Sequence, residues 1–381
     1  MRNLMRCVVW FAVVVASACT ADSPAPSGFS VVDSAGTRIA SNEWTGERQV
    51  PRWQLQEPPL LTIGDPAASE EYELHRVYYA RLTPDGRVVA SVNLSEIRIY
   101  SPDGTWLLTI GRQGEGPGEF QFLWDAHPVG DSLVRSLDVG NRRTSIFDSR
   151  TGELRRESAM IPITNPNGAG VLADDSYAGL RSRTGVLNER YVVHISRDGD
   201  VVDTVAHLTA PARTESPVPN ASYQFEPSFS STAAGDWIWA GWEGRYSIHR
   251  YRADGTLERI IRSSFEGEPV TDEIRQSAAE GPTEFPETPP TQIFPDRLPP
   301  WNKLLATDSG WLWVRRFRSP VGEDLNTWDI YDPDGRLAAY MRIPTTGRLS
   351  EVGDDHVIGV FRNELDVETI RVYRLIKTDQ R

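Results

Sequence analysis

The stretch TIGRQGEGPGEF, residues 109–120, places Gly111, Gly114, Gly116 and Gly118 close enough together to cradle a phosphate. A phosphate-binding loop needs Lys and then Ser or Thr after its last glycine, and Pro117 follows Gly116 instead. A dinucleotide fingerprint starting at Gly114 needs glycine at 119, where Glu119 stands. Glu115 and Glu119 would also repel a phosphate, and no amphipathic helix follows to offer its N-terminal amides. Histidines 75, 127, 194, 207, 249 and 356 include no H-E-x-x-H motif and no pair at zinc-ligand spacing. DPDG at 332–335 lacks the remaining ligands of a calcium loop and reads as a turn. No G-x-S-x-G elbow occurs. DSGWLW at 308–313 fits part of a sialidase Asp box, but Ala306 occupies its Ser/Thr position. Trp237, Trp239, Trp311 and Trp313 could stack on sugars. Their alternation puts each pair on one strand face, so blade core is the better account.

With chain-local chemistry thin, the elements matter more. Short runs rich in β-branched and aromatic residues, such as RVVASV (87–92), IRIY (97–100), YVVHI (191–195), WIWAGW (237–242) and VIGVF (357–361), read as strands. Two kinds of turn alternate between them. The first kind falls at Asp85-Gly86, Gly130-Asp131, Asp174-Asp175, Gly235-Asp236, Ser309-Gly310 and Gly353-Asp354. The second falls at Asp103-Gly104, Thr151-Gly152, Asp198-Gly199, Asp254-Gly255 and Asp334-Gly335. Glycine accepts the positive φ that tight hairpins require. The repeat predicts an all-β fold, a six-bladed β-propeller of four-stranded antiparallel blades. The sixth repeat ends one strand short. Leu60-Leu61-Thr62-Ile63-Gly64 duplicates Leu107-Leu108-Thr109-Ile110-Gly111, the fourth strand of the first blade. The N-terminal copy is therefore expected to supply the outer strand of the last blade and close the ring.

Three segments frame residues 51–381, the expected propeller. Residues 1–18 have the basic, apolar and small-residue regions of a signal peptide. Residues 19–50 hold a polar, proline-containing linker and a hairpin at 29–42. Small residues before Cys19 fit a lipobox, although Ala16-Ser17-Ala18 also suits ordinary signal peptidase. Only Cys7 and Cys19 occur, so Cys19 has no disulfide partner after processing, which favours its lipidation. An insertion at 266–300 carries an expected helix at 271–280 capped by Thr271, then seven prolines from Pro282 to Pro300. It is expected to be a blade-to-blade connector rather than a lid.

The glycine stretch resembles the blade-to-blade connector of NHL-repeat propellers. Asp138, Asn141, Arg143, Ile146 and Phe147 carry the downstream part of that match, and GEGPGEF is similar to a signature of bacterial six-bladed β-propeller lipoproteins. The resemblance implies a structural connector built from Gly111, Gly114, Gly116, Pro117, Gly118 and Phe120, in which Gly116 and Gly118 resist replacement by valine. It also implies an exported, lipid-anchored protein on the periplasmic or surface side of a bacterial envelope.

First strands of a propeller line its channel. The candidates they offer are Arg81, Asp125, His127, Asn167, Ser230, Lys303 and Arg348. With 53 acidic and 40 basic residues the formal charge is −13, and no basic run exists, so nucleic acid is not an expected partner. The expectation is a monomeric, non-catalytic module that binds a protein or small ligand and needs no cofactor. The rival is a propeller lyase or lactonase holding Ca or Zn in the channel, since such sites draw ligands from several blades. A scaffold within an envelope complex is a third reading.

Overall fold

Every turn of the first kind joins the innermost strand of a blade to its second strand. The structure, a computed structural model, describes residues 28–47, 50–65, 67, 69–160, 170–183, 186–197, 199–211, 221–280, 291–363 and 365–378. The leader, Cys19 and Asn167 lie outside the described residues.

Six antiparallel blades follow one another along the chain. Blade 1 comprises Ala80–Leu82, Val88–Val92, Glu96–Tyr100 and Trp106–Ile110. Blade 2 comprises Leu123–Val129, Leu133–Asp138, Arg143–Asp148 and Leu154–Ala159. Blade 3 has Gly170–Val171, Tyr177–Arg183, Val186–Ile195 and Val201–Thr209, and blade 4 has Phe229–Ala234, Trp237–Trp242, Ser247–Tyr251 and Leu257–Ser263. Blade 5 is Trp301–Ala306, Leu312–Arg316, Leu325–Tyr331 and Leu337–Pro344. Blade 6 takes Gly347–Val352, His356–Arg362 and Glu368–Ile376 from the C-terminus. Its outer edge is Leu61–Ile63, paired Ile63 to Ile370 and Leu61 to Val372, as the duplicated LLTIG implies. The fold is thus a six-bladed β-propeller closed between its two chain ends.

The closure is longer than one strand. The hairpin Phe29–Ser34 and Thr37–Asn42 runs parallel against Leu257–Ser263 and widens blade 4 to six strands. Arg52 then bridges Tyr340 on the edge of blade 5, and Gln54–Leu55 pairs with the last residues of blade 6. The N-terminal segment is a strap across three consecutive blade edges. It covers backbone groups that would otherwise be open to edge pairing.

Apolar packing sits between blades. Val89, Ile97 and Ile110 of blade 1 meet Leu123, Val134 and Phe147 of blade 2. Trp313, Trp328 and Met341 of blade 5 meet Leu349, Val357 and Tyr373 of blade 6. Trp239 and Trp313 are fully buried in the core, and Trp237 and Trp311 pack half-buried against the same clusters. His194 contacts Ser176 Oγ at 2.8 Å and His249 contacts Tyr251 Oη at 3.0 Å, which places both in ordinary packing roles. The seam between blades 2 and 3 differs, because Arg135 lies over the Tyr177 ring at 3.8 Å.

The glycine stretch is the connector from blade 1 to blade 2. Phe120 is fully buried against Phe147, with ring centroids 5.8 Å apart. A Cβ on Gly111 would collide with the Phe120 ring, and its φ of +80° already excludes most side chains. Gly118 is held by φ of +72° rather than by crowding, whereas a Cβ on Gly116 would meet only the movable Glu119 carboxylate. Gly111 is therefore the sharper constraint. The residues of the NHL-like match fix this loop. The Asp138 carboxylate accepts from the amides of Gln121, Phe122, Gly140 and Asn141, at 2.9 to 3.2 Å. Asn141 Nδ2 donates to Gly114 O at 2.9 Å, and Arg143 donates to the carbonyls of Glu115, Gly116 and Glu119. Arg143→Ala is expected to destabilise the protein by about 2–3 kcal/mol, because three carbonyls lose a charged donor. Urea unfolding monitored by tryptophan fluorescence measures the loss, and an unchanged midpoint would contradict the role.

The expected helix forms over Asp272–Ala279, and Thr271 Oγ1 accepts from Ile274 N at 3.3 Å. Ile274 packs with Val270 and Leu298 beneath Phe225, Phe294 and Phe317. That small core fastens the connector to the loops of blades 4 and 5. Residues 281–290 lie outside the described residues.

Candidate functional site

The innermost strands bring side chains from distant parts of the chain around one axis. Arg81 of blade 1 and Asp125 of blade 2, each 8% exposed, form an ion pair. Arg81 Nη2 reaches the two carboxylate oxygens at 3.0 and 3.2 Å. His127 lies farther along the same strand, directly opposite Arg135. Burial, with Arg81 and Arg135 adding to it, holds the His127 imidazole well below its usual range. Ser230 Oγ donates to Glu243 Oε1 at 2.5 Å, and Ser228 N donates to the same carboxylate at 3.0 Å. Lys303 Nζ donates to Leu349 O at 2.9 Å, which ties blade 5 to blade 6. Arg348 donates to the carbonyls of Tyr78 and Val77 and so ties blade 6 to blade 1.

Six of the seven expected channel residues thus lie on the inner strands with interpretable contacts, and Asn167 falls outside the described residues. Reasoning from first strands alone missed Tyr79, Arg135, Glu243, Arg315 and Glu351. Two of these were accessible through hairpin register. Arg135 lies opposite His127, and Arg315 lies opposite Lys303. Glu243 carries no such signal, since it follows a second strand, whereas Glu351 lies within the first strand of blade 6 and was simply passed over.

Charge is unevenly distributed in this set. Arg81, Arg135, Lys303, Arg315 and Arg348 face the carboxylates Asp125, Glu243 and Glu351, with Glu368 engaged by Arg362 nearby. Burial pushes the Glu243 and Glu351 carboxyls upward, which weakens their negative charge. Burial also pushes the Lys303 ammonium well down, and Arg315, Arg348 and Arg81 add to that shift. The Tyr79 hydroxyl is pushed up to about 12, first by burial and then by Asp125. The positive groups therefore outnumber the anions available to balance them.

A half-buried aromatic trio stands beside the ion pair. Tyr78 lies 5.2 Å from Trp124 and 5.7 Å from Phe122, centroid to centroid. A separate cleft of about 620 Å³ on the rim of blade 6 is lined by Thr346, Arg362, Asn363, Leu365 and Arg371. Arg362 there is already paired with Asp366 and Glu368. Among the described residues, no three His, Cys, Asp or Glu side chains gather as a metal site. Among them also, no helix is long and apolar enough to cross a membrane.

No protein-family model and no curated protein matches the chain. Solved structures do match in fold. A Bacteroides fragilis protein described as exported aligns over 89% of this chain and 100% of its own, at 13% identity and a TM-score of 0.55. A member of the DUF4221 family from Bacteroides vulgatus aligns over 86% of this chain and 99% of its own, at 11% identity and a TM-score of 0.50. At such identities the likeness concerns the fold alone.

Proposed function

We propose that this protein is an exported, lipid-anchored binding module of the bacterial envelope whose ligand seat is the propeller channel. One observation carries the reading. Polar and charged side chains from blades 1, 2, 4, 5 and 6 converge on the axis, and their charges do not cancel among themselves. Buried charge that a fold leaves uncompensated costs stability, so its concentration in an axial channel points to use by a ligand. Export draws support from the leader and from the Bacteroides fragilis protein of similar fold, and lipidation from the unpaired Cys19.

The metal-dependent lyase or lactonase reading has less support. Asp125 is occupied by Arg81, and His127 feels the charge of both Arg81 and Arg135, so a divalent cation there would meet positive charge.

Tryptophan fluorescence tests the seat, because Trp124 adjoins the Arg81–Asp125 pair. A panel of charged and uncharged small molecules should yield a saturable change that Trp124→Phe removes. If none responds, crosslinking in intact cells should trap a constant protein partner at this face. Failure of both would overturn the reading. Metabolic lipid labelling tests the anchor, and labelling that survives Cys19→Ala would sink it.

A further inference from the structure

The imbalance is sharpest where blades 5 and 6 meet. Lys303 and Arg315 occupy directly opposed positions in the first hairpin of blade 5. Like charges at such positions repel, and partial exclusion of water strengthens the repulsion. Neither is held in an ion pair. Lys303 Nζ donates to the Leu349 carbonyl at 2.9 Å and Arg315 Nε donates to Asn302 Oδ1 at 2.9 Å, both neutral acceptors. Asp125 is held by Arg81, while Glu243 attracts Arg315 from a distance and spends its oxygens on Ser230 and the Ser228 amide. Among the described residues, no carboxylate lies within ion-pair distance of Lys303 or Arg315.

Arg348 adds a third cation whose position is fixed. It precedes Leu349, the acceptor of Lys303, and its guanidinium is pinned by the carbonyls of Val77 and Tyr78. A planar guanidinium next to a compact ammonium suits an oxyanion, which accepts several charged hydrogen bonds at once. The half-buried aromatic trio includes Trp124, next to Asp125 in the chain, and leaves part of its rings exposed.

We propose that the channel binds a small organic anion, a carboxylate or a phosphate ester, with its charged head between Lys303 and Arg315 and beside Arg348. This rests on the channel being the binding seat. An anion placed there relieves the Lys303–Arg315 repulsion, so binding and stabilisation come from the same contacts.

The test uses the full-length protein purified in non-ionic detergent, with sodium phosphate and sodium succinate as probes and sodium chloride at matched ionic strength as control. One probe is expected to raise Tm in a saturable way beyond chloride, and the stronger of the two identifies phosphate or carboxylate as the preferred head. Lys303→Met should weaken that response by at least roughly tenfold. In the absence of anion the same variant should lose little stability, because removal of the charge that repels Arg315 offsets loss of the hydrogen bond to Leu349 O. Arg315→Met serves the same purpose should Lys303→Met fail to fold. Responses no greater than chloride's, or an undiminished response in both variants, would overturn the anion assignment. A saturable fluorescence response to an uncharged ligand, with both anions inert, would sink this inference and leave the channel as binding seat. Inertness to every ligand, together with no protein partner, would sink the binding reading itself.

Discussion

Gly170→Val is expected to lower the unfolding free energy by more than about 3 kcal/mol, with much of the protein lost to aggregation. Gly170 begins the two-residue inner strand of blade 3, where the chain passes against blade 4. A Cβ there would lie 2.7 Å from Ala233 Cα and closer still to the Ala233 amide nitrogen and carbonyl oxygen. All three obstructing atoms are backbone within a paired strand, so no rotamer change makes room. The two inner strands would have to separate, opening the interface that buries Leu172, Leu180, Phe229 and Ile238. Blade 3 has little reserve on its other side, where the blade 2 seam relies on Arg135 stacked over Tyr177. Val202→Ala on the exposed outer strand of the same blade is the control and should stay within about 0.5 kcal/mol of the parent. Urea midpoints for the two variants decide the matter, and a Gly170→Val midpoint near that of the control would contradict the close approach.

Arg316→Ala is expected to cost about 3–5 kcal/mol, because it leaves a buried carboxylate without its counter-charge. Asp329 is 1% exposed. Arg316 Nε approaches its two oxygens at 3.0 and 3.1 Å, and Tyr246 Oη donates to Oδ2 at 2.8 Å. The other end of the guanidinium holds Glu47 at 2.6 Å and lies over the Trp44 ring at 4.1 Å. One side chain therefore joins blade 4, blade 5 and the N-terminal strap. Its loss should also make the strap near residues 44–52 more sensitive to protease. The pair Arg316→Met with Asp329→Leu removes both charges and should recover much of the lost stability, since the penalty lies in the orphaned charge. Equal losses in the single and double variants, measured by urea unfolding, would refute that account.

The parts of this fold that were legible in the sequence are those with local causes. Asp-Gly and Gly-Asp turns impose positive φ within two residues, so the blade rhythm is written in the chain. The duplicated LLTIG betrayed the closing strand because both copies fill the same outer position in a blade. Thr271 marked a helix start for the same local reason. The docking of the 29–42 hairpin against Leu257–Ser263 was not legible, since a parallel pairing across more than two hundred residues leaves no period. Nor was the Arg52–Tyr340 bridge, for that reason. The site was legible in part. Inner strands pointed to Arg81, Asp125, His127, Ser230, Lys303 and Arg348, but a first-strand rule cannot reach Arg315 or Arg135 on the second strands. Extending each hairpin by register would have found both, and with them the opposed Lys303 and Arg315.

Uncompensated positive charge in the channel is the centre of the account, and the chain offers a direct reading of it. Lys303 and Lys377 are the only lysines, so lysine-selective ¹⁵N labelling yields two side-chain nitrogen signals, which Lys377→Arg assigns. Titrated by NMR, Lys303 Nζ should lose its proton well below 10.5, because burial and the guanidinium groups of Arg315, Arg348 and Arg81 disfavour the charged form. Saturation with the anion that stabilises the protein should then move that titration upward. A Lys303 signal that titrates at or above 10.5 in the ligand-free protein would contradict the account.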